Sequence, residues 1–232
     1  MKTIGLIGGM SWESTQTYYR LINQKVREQL GGLHSAKLIL YSVDFADIEP
    51  LQHAGDWAGT ADILTEAAQA LESAGADFIV LCTNTMHKVA PEIELAVNVP
   101  LLHIADATAK ALQNDDIKAV GLLGTKFTME QTFYRERIED YGICVVVPDA
   151  KQRDRVHSVI FNELCLGETN KKSKADYLEI IDSLAHSGAE GVILGCTEIG
   201  LLINSSDTKV RLYDTTEIHA EQAVKFALGL SS

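Results

Sequence analysis

S-G-A-E-G-V-I-L-G-C-T-E, Ser187 to Glu198, decides the fold, because an altered copy of it, A-G-A-D-F-I-V-L-C-T-N-T, runs from Ala74 to Thr85. Laid together without a gap, Gly75 falls on Gly188, Ala76 on Ala189 and Asp77 on Glu190, and the apolar runs 78–81 and 191–194 coincide. Cys82 then meets Gly195, and Thr83 meets Cys196. Each copy is a short apolar run bounded by turn residues, the pattern of a buried strand. Each ends in a small polar residue able to handle a proton or bind a ligand.

The repeat extends outward. Ile4-G-L-I-G-G-M resembles Val120-G-L-L-G-T-K, and T-Y-Y-R at 17–20 resembles T-F-Y-R at 132–135. Eight strands are expected, at about 3–8, 37–43, 77–83, 99–104, 118–124, 143–148, 191–196 and 209–213. Helical patterns alternate with them: 14–30, 57–74, 128–141, 153–166 and 173–187. In the second of these, Trp57, Ala61, Leu64, Ala68 and Leu71 recur at helical spacing. Such alternation reads as a parallel α/β architecture. Strand ends match in order as well: Asp44 with Asp149, and Asp106 and Thr108 with Asp214 and Thr216. The chain therefore divides into two halves of four strand–helix units. Ligands bind at the carboxyl ends of strands in open parallel sheets. Facing edges would put Thr83 and Cys196 on opposite sides of one cleft, a geometry for acting on both faces of one carbon atom.

The 232 residues suffice for one large domain or two small ones. A formal net charge of −12 argues against nucleic acid and anionic membrane as partners, since both reward basic patches. No stretch approaches the roughly 18 apolar residues of a membrane span. The apolar run at the N-terminus is too short, and too interrupted by glycine, for an export signal. A cytoplasmic protein with four free thiols, at 82, 144, 165 and 196, is expected, and without C-x-x-C a structural zinc site is not.

Cys196 sits at a strand end where a helix would begin, and a helix N-terminus favours a thiolate. Alternation along the strand turns Cys82 away from Thr83, so Cys82 reads as a core thiol. Cys144, inside a strand, also reads as structural, and Cys165 less firmly so. G-L-I-G-G-M-S is not a dinucleotide fingerprint. It is a glycine turn leading into a helix, with backbone N–H groups near Met10 and Ser11 suited to a carboxylate or phosphate. Its counterpart at 124–128 adds Thr125 and Thr128, the latter also fitting a capping box with Gln131. Asn84 and Thr85 could donate to a bound carboxylate, though Asn84 could equally cap a helix. Glu198 could orient a thiol or a substrate ammonium, or simply be a first-turn helix acid. His87 and His103 lack a second metal ligand at helical spacing and read as structural.

With G-L-I-G-G-M-S-W-E-S-T near the start, T-N-T-M-H at 83–87, L-L-G-T at 122–125 and G-C-T-E at 195–198, the chain resembles the aspartate/glutamate racemase family over nearly its whole length. The resemblance implies two pseudo-symmetric α/β domains, each a parallel four-stranded sheet flanked by helices, with the active site between them. Domain one would comprise 1–98 plus 209–232, and domain two 99–208. It also implies a cofactor-independent, metal-free amino-acid racemase, a homodimer, whose substrate is a small acidic amino acid. Substrate-binding positions would be Met10, Ser11, Gln52, Asn84, Thr85, Thr125, Cys165, Thr197 and Glu198. One cysteine from each half would move the α-proton, but where the family has C-N-T this chain has T-N-T. Catalysis would then fall to Cys196 as base and Thr83, or a water it holds, as proton donor, with one direction favoured kinetically. In related racemases the second-half thiol faces the proton of the L enantiomer, so L substrates are expected. Cys165 stands where relatives often carry a lysine for the side-chain carboxylate, which loosens the expectation of strict aspartate specificity. The same superfamily includes hydantoin racemases, maleate isomerases and arylmalonate decarboxylases. A non-catalytic module binding acidic amino acids is the alternative from another class.

Overall fold

The computed structural model describes residues 1–230. Contacts divide the chain into two units, Met1–Ile104 with the chain from His219 on, and Ala105–Ile218. In the first unit β1 (Ile4–Gly8), β2 (Leu38–Ser42), β3 (Phe78–Leu81) and β4 (Leu101–Leu102) form a parallel sheet in the order β2-β1-β3-β4. The connections are α1 (Trp12–Leu30), α2 (Phe45–Ala54), α3 (Trp57–Ser73), a 3-10 turn (Thr85–Val89) and α4 (Ala90–Ala96). In the second unit, α5 (Ile104–Asn114) leads to β5 (Ala119–Gly124), α6 (Lys126–Glu130), α7 (Thr132–Glu139), β6 (Cys144–Val146) and α8 (Ala150–Asn162). A 3-10 turn (Leu164–Leu166), α9 (Lys171–His186), β7 (Gly191–Gly195), α10 (Ile199–Leu202), β8 (Arg211–Asp214) and α11 (Thr215–Leu228) follow. The second sheet has the equivalent parallel order, β6-β5-β7-β8.

All eight expected strands are present, and so is the gap-free register of the repeat. Ile4 lies opposite Phe78 and Ile7 opposite Leu81, while Val120 lies opposite Gly191 and Leu123 opposite Leu194. Because Ile4 matches Val120, Leu81 and Leu194 are equivalent, and so are Thr83 and Cys196 two residues later. Strand alternation also works as expected. Ile79 and Leu81 enter a cluster with Leu64, Ala68 and Leu71 of α3. Phe78, Val80 and Cys82 enter another, with Tyr18, Ile22 and Val26 of α1 and Ala220, Ala223 and Val224 of α11. Helices on both faces explain why β3 is apolar throughout rather than alternating with polar residues.

Pairing corrects the expected domain boundaries. β4 bonds to β3, with Ile79 opposite Leu101, so 99–104 belongs with the first unit. β8 bonds to β7, with Gly191 opposite Arg211, so 209–218 belongs with the second. The four-strand repeat is thus kept whole on each side. Other differences are local. The expected helix 128–141 breaks at Gln131, whose backbone is extended. Asp44, Asp149 and Asp214 accept backbone N–H groups at the starts of the following helices, so these matched acids are caps. Tyr134 is fully buried, but its buried counterpart is Tyr18, one residue before the aligned Tyr19, which is 53 % exposed. Cys144 is exposed, not a core thiol, because it begins the edge strand β6.

Candidate active site

In both sheets the strand order reverses direction between two neighbours, β1 and β3 in one and β5 and β7 in the other. Crevices for ligands open at the carboxyl ends of such pairs. Around the first lie Gly9, Met10, Ser11 and Thr83, and around the second Thr125 and Cys196.

At the first edge, Gly9 has a left-handed backbone, φ +97°, and a Cβ there would run into the Val43 carbonyl oxygen. Its N–H donates to Thr15 Oγ1 at 2.8 Å, and Ser11 Oγ accepts the Ser14 N–H as the cap of α1. The glycine turn therefore spends part of its donor capacity internally, against the expectation of free N–H groups. β3 ends with the Cys82 N–H on the Ile7 carbonyl at 2.9 Å, and the Thr83 N–H turns back to Leu81 O, also at 2.9 Å. Thr83 is 8 % exposed, and Asn84 and Thr85 are buried beside it. Asn84 makes no side-chain capping bond to the 3-10 turn, which removes that explanation of it. Gln52 is buried near the end of α2. Cys82 is wholly buried, and desolvation drives its thiol far above the ordinary range, so it stays neutral.

At the second edge, a Cβ on Gly195 would meet Leu123 O at 2.8 Å, so the position that is Cys82 in the first half has no room for a side chain in the second. Cys196 does not head a helix as expected: α10 begins only at Ile199 and is four residues long. Its thiol instead donates to Glu198 Oε2 at 3.0 Å, and Thr197 Oγ1 donates to the same oxygen at 2.7 Å. Burial, then the Glu198 charge, then Cys165 hold the Cys196 thiol well above its usual pKa. The resting group is a thiol with a buried carboxylate as its hydrogen-bond acceptor. Thr125 caps α6 by accepting the Thr128 N–H at 3.3 Å, so the cap is Thr125 rather than the expected Thr128.

Cys165 is part-buried in the 3-10 turn between α8 and α9, and its electrostatic influence on Cys196 places it in that neighbourhood. Ser173 Oγ donates to the Glu163 carboxylate at 2.6 Å, and Arg155 donates to Ser173 at 3.2 Å and Asp176 at 2.6 Å. These contacts anchor the turn. Sequence reasoning missed them, as it missed Ser14 and the part played by His87. Ser14 Oγ donates to Cys82 O at 3.0 Å, and His87 Nδ1 lies 2.7 Å from Thr83 O.

The model of the Asp/Glu/Hydantoin racemase family matches residues 7–223. The chain is 27 % identical to the broad specificity amino-acid racemase RacX of Bacillus subtilis (strain 168), covering 99 % of this chain and 100 % of that one. A candidate Asp/Glu racemase structure from Yersinia pestis superposes with a TM-score of 0.92 at 56 % identity, covering 98 % of this chain and 100 % of the other. An aspartate racemase homologue from Pyrococcus horikoshii OT3 does so with a TM-score of 0.86 at 38 % identity, over the same shares. The chain belongs to the Asp/Glu/Hydantoin racemase family and is an amino-acid racemase of the aspartate/glutamate racemase type. Among the described residues no helix is long and apolar enough to cross a membrane.

Proposed function

We propose that the chain is a cofactor-independent racemase of small acidic amino acids in which the two halves handle the α-proton unequally. One observation carries this reading: equivalent strand-end positions hold Thr83 in one sheet and Cys196, bonded to Glu198, in the other. The substrate ammonium, close to the pair, would favour the ionised thiol, and the thiol proton would pass to Glu198. The thiolate would then take the α-proton from one face. Hydrogen-bond donors at Asn84, Thr85, Ser11 and Thr125 would hold the carboxylate as enolate charge develops. Thr83, directly or through a water, would give a proton to the opposite face; solvent water would restore that proton, and the hydroxide left behind would be neutralised by the proton that Glu198 releases as the resting pair re-forms. Met10, Gln52 and Cys165 would shape the side-chain end, with Thr197 keeping Glu198 in place.

A threonine hydroxyl is far too weak an acid to be ionised and act as a base near neutral pH, so Cys196 would be the base, and the family resemblance assigns it the L enantiomer. The two enantiomers have equal free energy, so inversion has the same kcat/KM in both directions. This replaces the expectation of a favoured direction: the inequality appears in proton exchange with retention. A cytoplasmic homodimer completes the proposal, on the family resemblance alone.

The test is a panel of L and D amino acids in deuterated water, followed by NMR at the α-position. L-aspartate or L-glutamate is expected to gain α-deuterium. Binding of these amino acids without exchange would overturn the reading in favour of a non-catalytic module. Carbon dioxide release from a malonate would do so in favour of a decarboxylase.

A further inference from the structure

We propose that Ser14 and His87 are positioning residues that aim Thr83 at the substrate, by holding the two successive carbonyl groups on which its backbone turns. The inference rests on the proton-delivering role proposed above for Thr83.

Past the last rung of the sheet, the carbonyls of Cys82 and Thr83 lie beyond the β3 ladder, where a strand end would fray. Each is met by a buried side chain from a different segment. Ser14 Oγ, in the first turn of α1, donates to Cys82 O at 3.0 Å. His87, in the 3-10 turn, approaches Thr83 O at 2.7 Å through Nδ1. A carbonyl oxygen only accepts, so Nδ1 carries the hydrogen. Nε2 of the same ring accepts the Ile104 N–H at 3.2 Å, so it carries none. The ring is therefore a neutral imidazole in one tautomer, set by two backbone partners. It ties the end of β3 to the start of α5, and His103 packs edge-on against it with centroids 4.5 Å apart. Both residues are buried, Ser14 at 3 % and His87 at 2 % exposure.

Rotation of the Cys82 and Thr83 peptides would swing the Thr83 hydroxyl while leaving Cys196, on another sheet, untouched. The inference thus predicts a defect confined to one face of the substrate. An ångström of misplacement is enough to lower a proton-transfer rate by about 10–100-fold.

The readout is the partition ratio from an L substrate in deuterated water: D product formed, divided by L substrate returned with α-deuterium. Thr83→Val sets the reference and is expected to lower this ratio strongly. His87→Leu and Ser14→Ala are each expected to lower it about tenfold. His87→Asn, whose amide can still donate to Thr83 O but cannot accept from Ile104 N–H, is expected to restore it to within about threefold of the parent value. A merely structural role would reduce inversion and exchange together and leave the ratio alone. That result, with Thr83→Val still lowering it, would overturn this inference and spare the role of Thr83. An unchanged ratio in Thr83→Val would overturn the parent reading and this one with it. Should His87→Leu fail to fold, Ser14→Ala and His87→Asn decide the matter between them.

Discussion

Replacing Cys196 by alanine is expected to abolish α-proton exchange, with a fall of at least about 10³-fold against both enantiomers. General-base catalysis by a positioned group contributes about 10²–10⁴-fold, and in the proposed reading the thiol is the group that supplies it. Glu198 remains in the variant, but the side chain that would reach the α-carbon is gone. Cys82→Ala is the control, and a severe one, because Cys82 lies one residue from Thr83 in sequence. It packs with Phe78, Val80 and Tyr18 on the face of the sheet covered by α1 and α11. Its loss should cost roughly 1 kcal/mol of stability through lost packing and leave exchange in place. Loss of exchange in Cys82→Ala, with a folded protein, would contradict the assignment. Both variants are read by NMR in deuterated water after thermal unfolding confirms folding.

Replacing Glu198 by glutamine separates two properties that ordinarily move together. The carboxylate accepts a hydrogen bond from the Cys196 thiol, and its charge is the second cause, after burial, of the thiol's raised pKa. Glutamine keeps an oxygen that can accept the hydrogen bond but removes the charge and the capacity to take the thiol proton in the proposed reaction. The sign follows from the charge: without it the thiol titrates at lower pH, although burial still keeps it above the ordinary range. Iodoacetamide should therefore alkylate Glu198→Gln at lower pH than the parent, while kcat/KM falls about 10²-fold for want of a proton acceptor. A thiol that becomes easier to ionise in an enzyme that becomes slower is the expected signature. Parallel loss of thiol reactivity and activity would show that Glu198 only supports the fold.

What could be read from the residues divides along a physical line. The two sheets and their register were legible because Ile4-G-L-I-G and Val120-G-L-L-G, and the apolar runs at 78–81 and 191–194, carry backbone-level signals of strand and turn. The burial of Cys82 followed from the period of two along a strand. α2 was not legible, since Pro50 inside F-A-D-I-E-P-L-Q-H-A argues against a helix that tertiary packing nevertheless supports through buried Ile48 and Gln52. Thr83 and Cys196 could be singled out because the repeat pairs them, and the two sheets do hold them at equivalent positions. The contact of Cys196 with Glu198 was offered only as one option among several, because a spacing of two residues in a loop fixes no direction. The bonds of Ser14 and His87 were invisible, since they end on backbone carbonyls and leave no pattern in residue types. The expected domain boundaries failed because they were drawn from a resemblance, whereas strand pairing kept the four-strand repeat intact.

The most direct test of an unequal pair is the rate at which each enantiomer of the same acidic amino acid loses its α-proton to deuterated water. Counting inversion and retained exchange together, the L enantiomer should exchange at least about ten times faster than the D, because in the proposed reading Cys196 alone acts as base. Inversion, measured in the same samples, should keep equal kcat/KM in the two directions. Comparable exchange from L and D would contradict the account, and would mean that a base as strong as the thiolate acts from the Thr83 side.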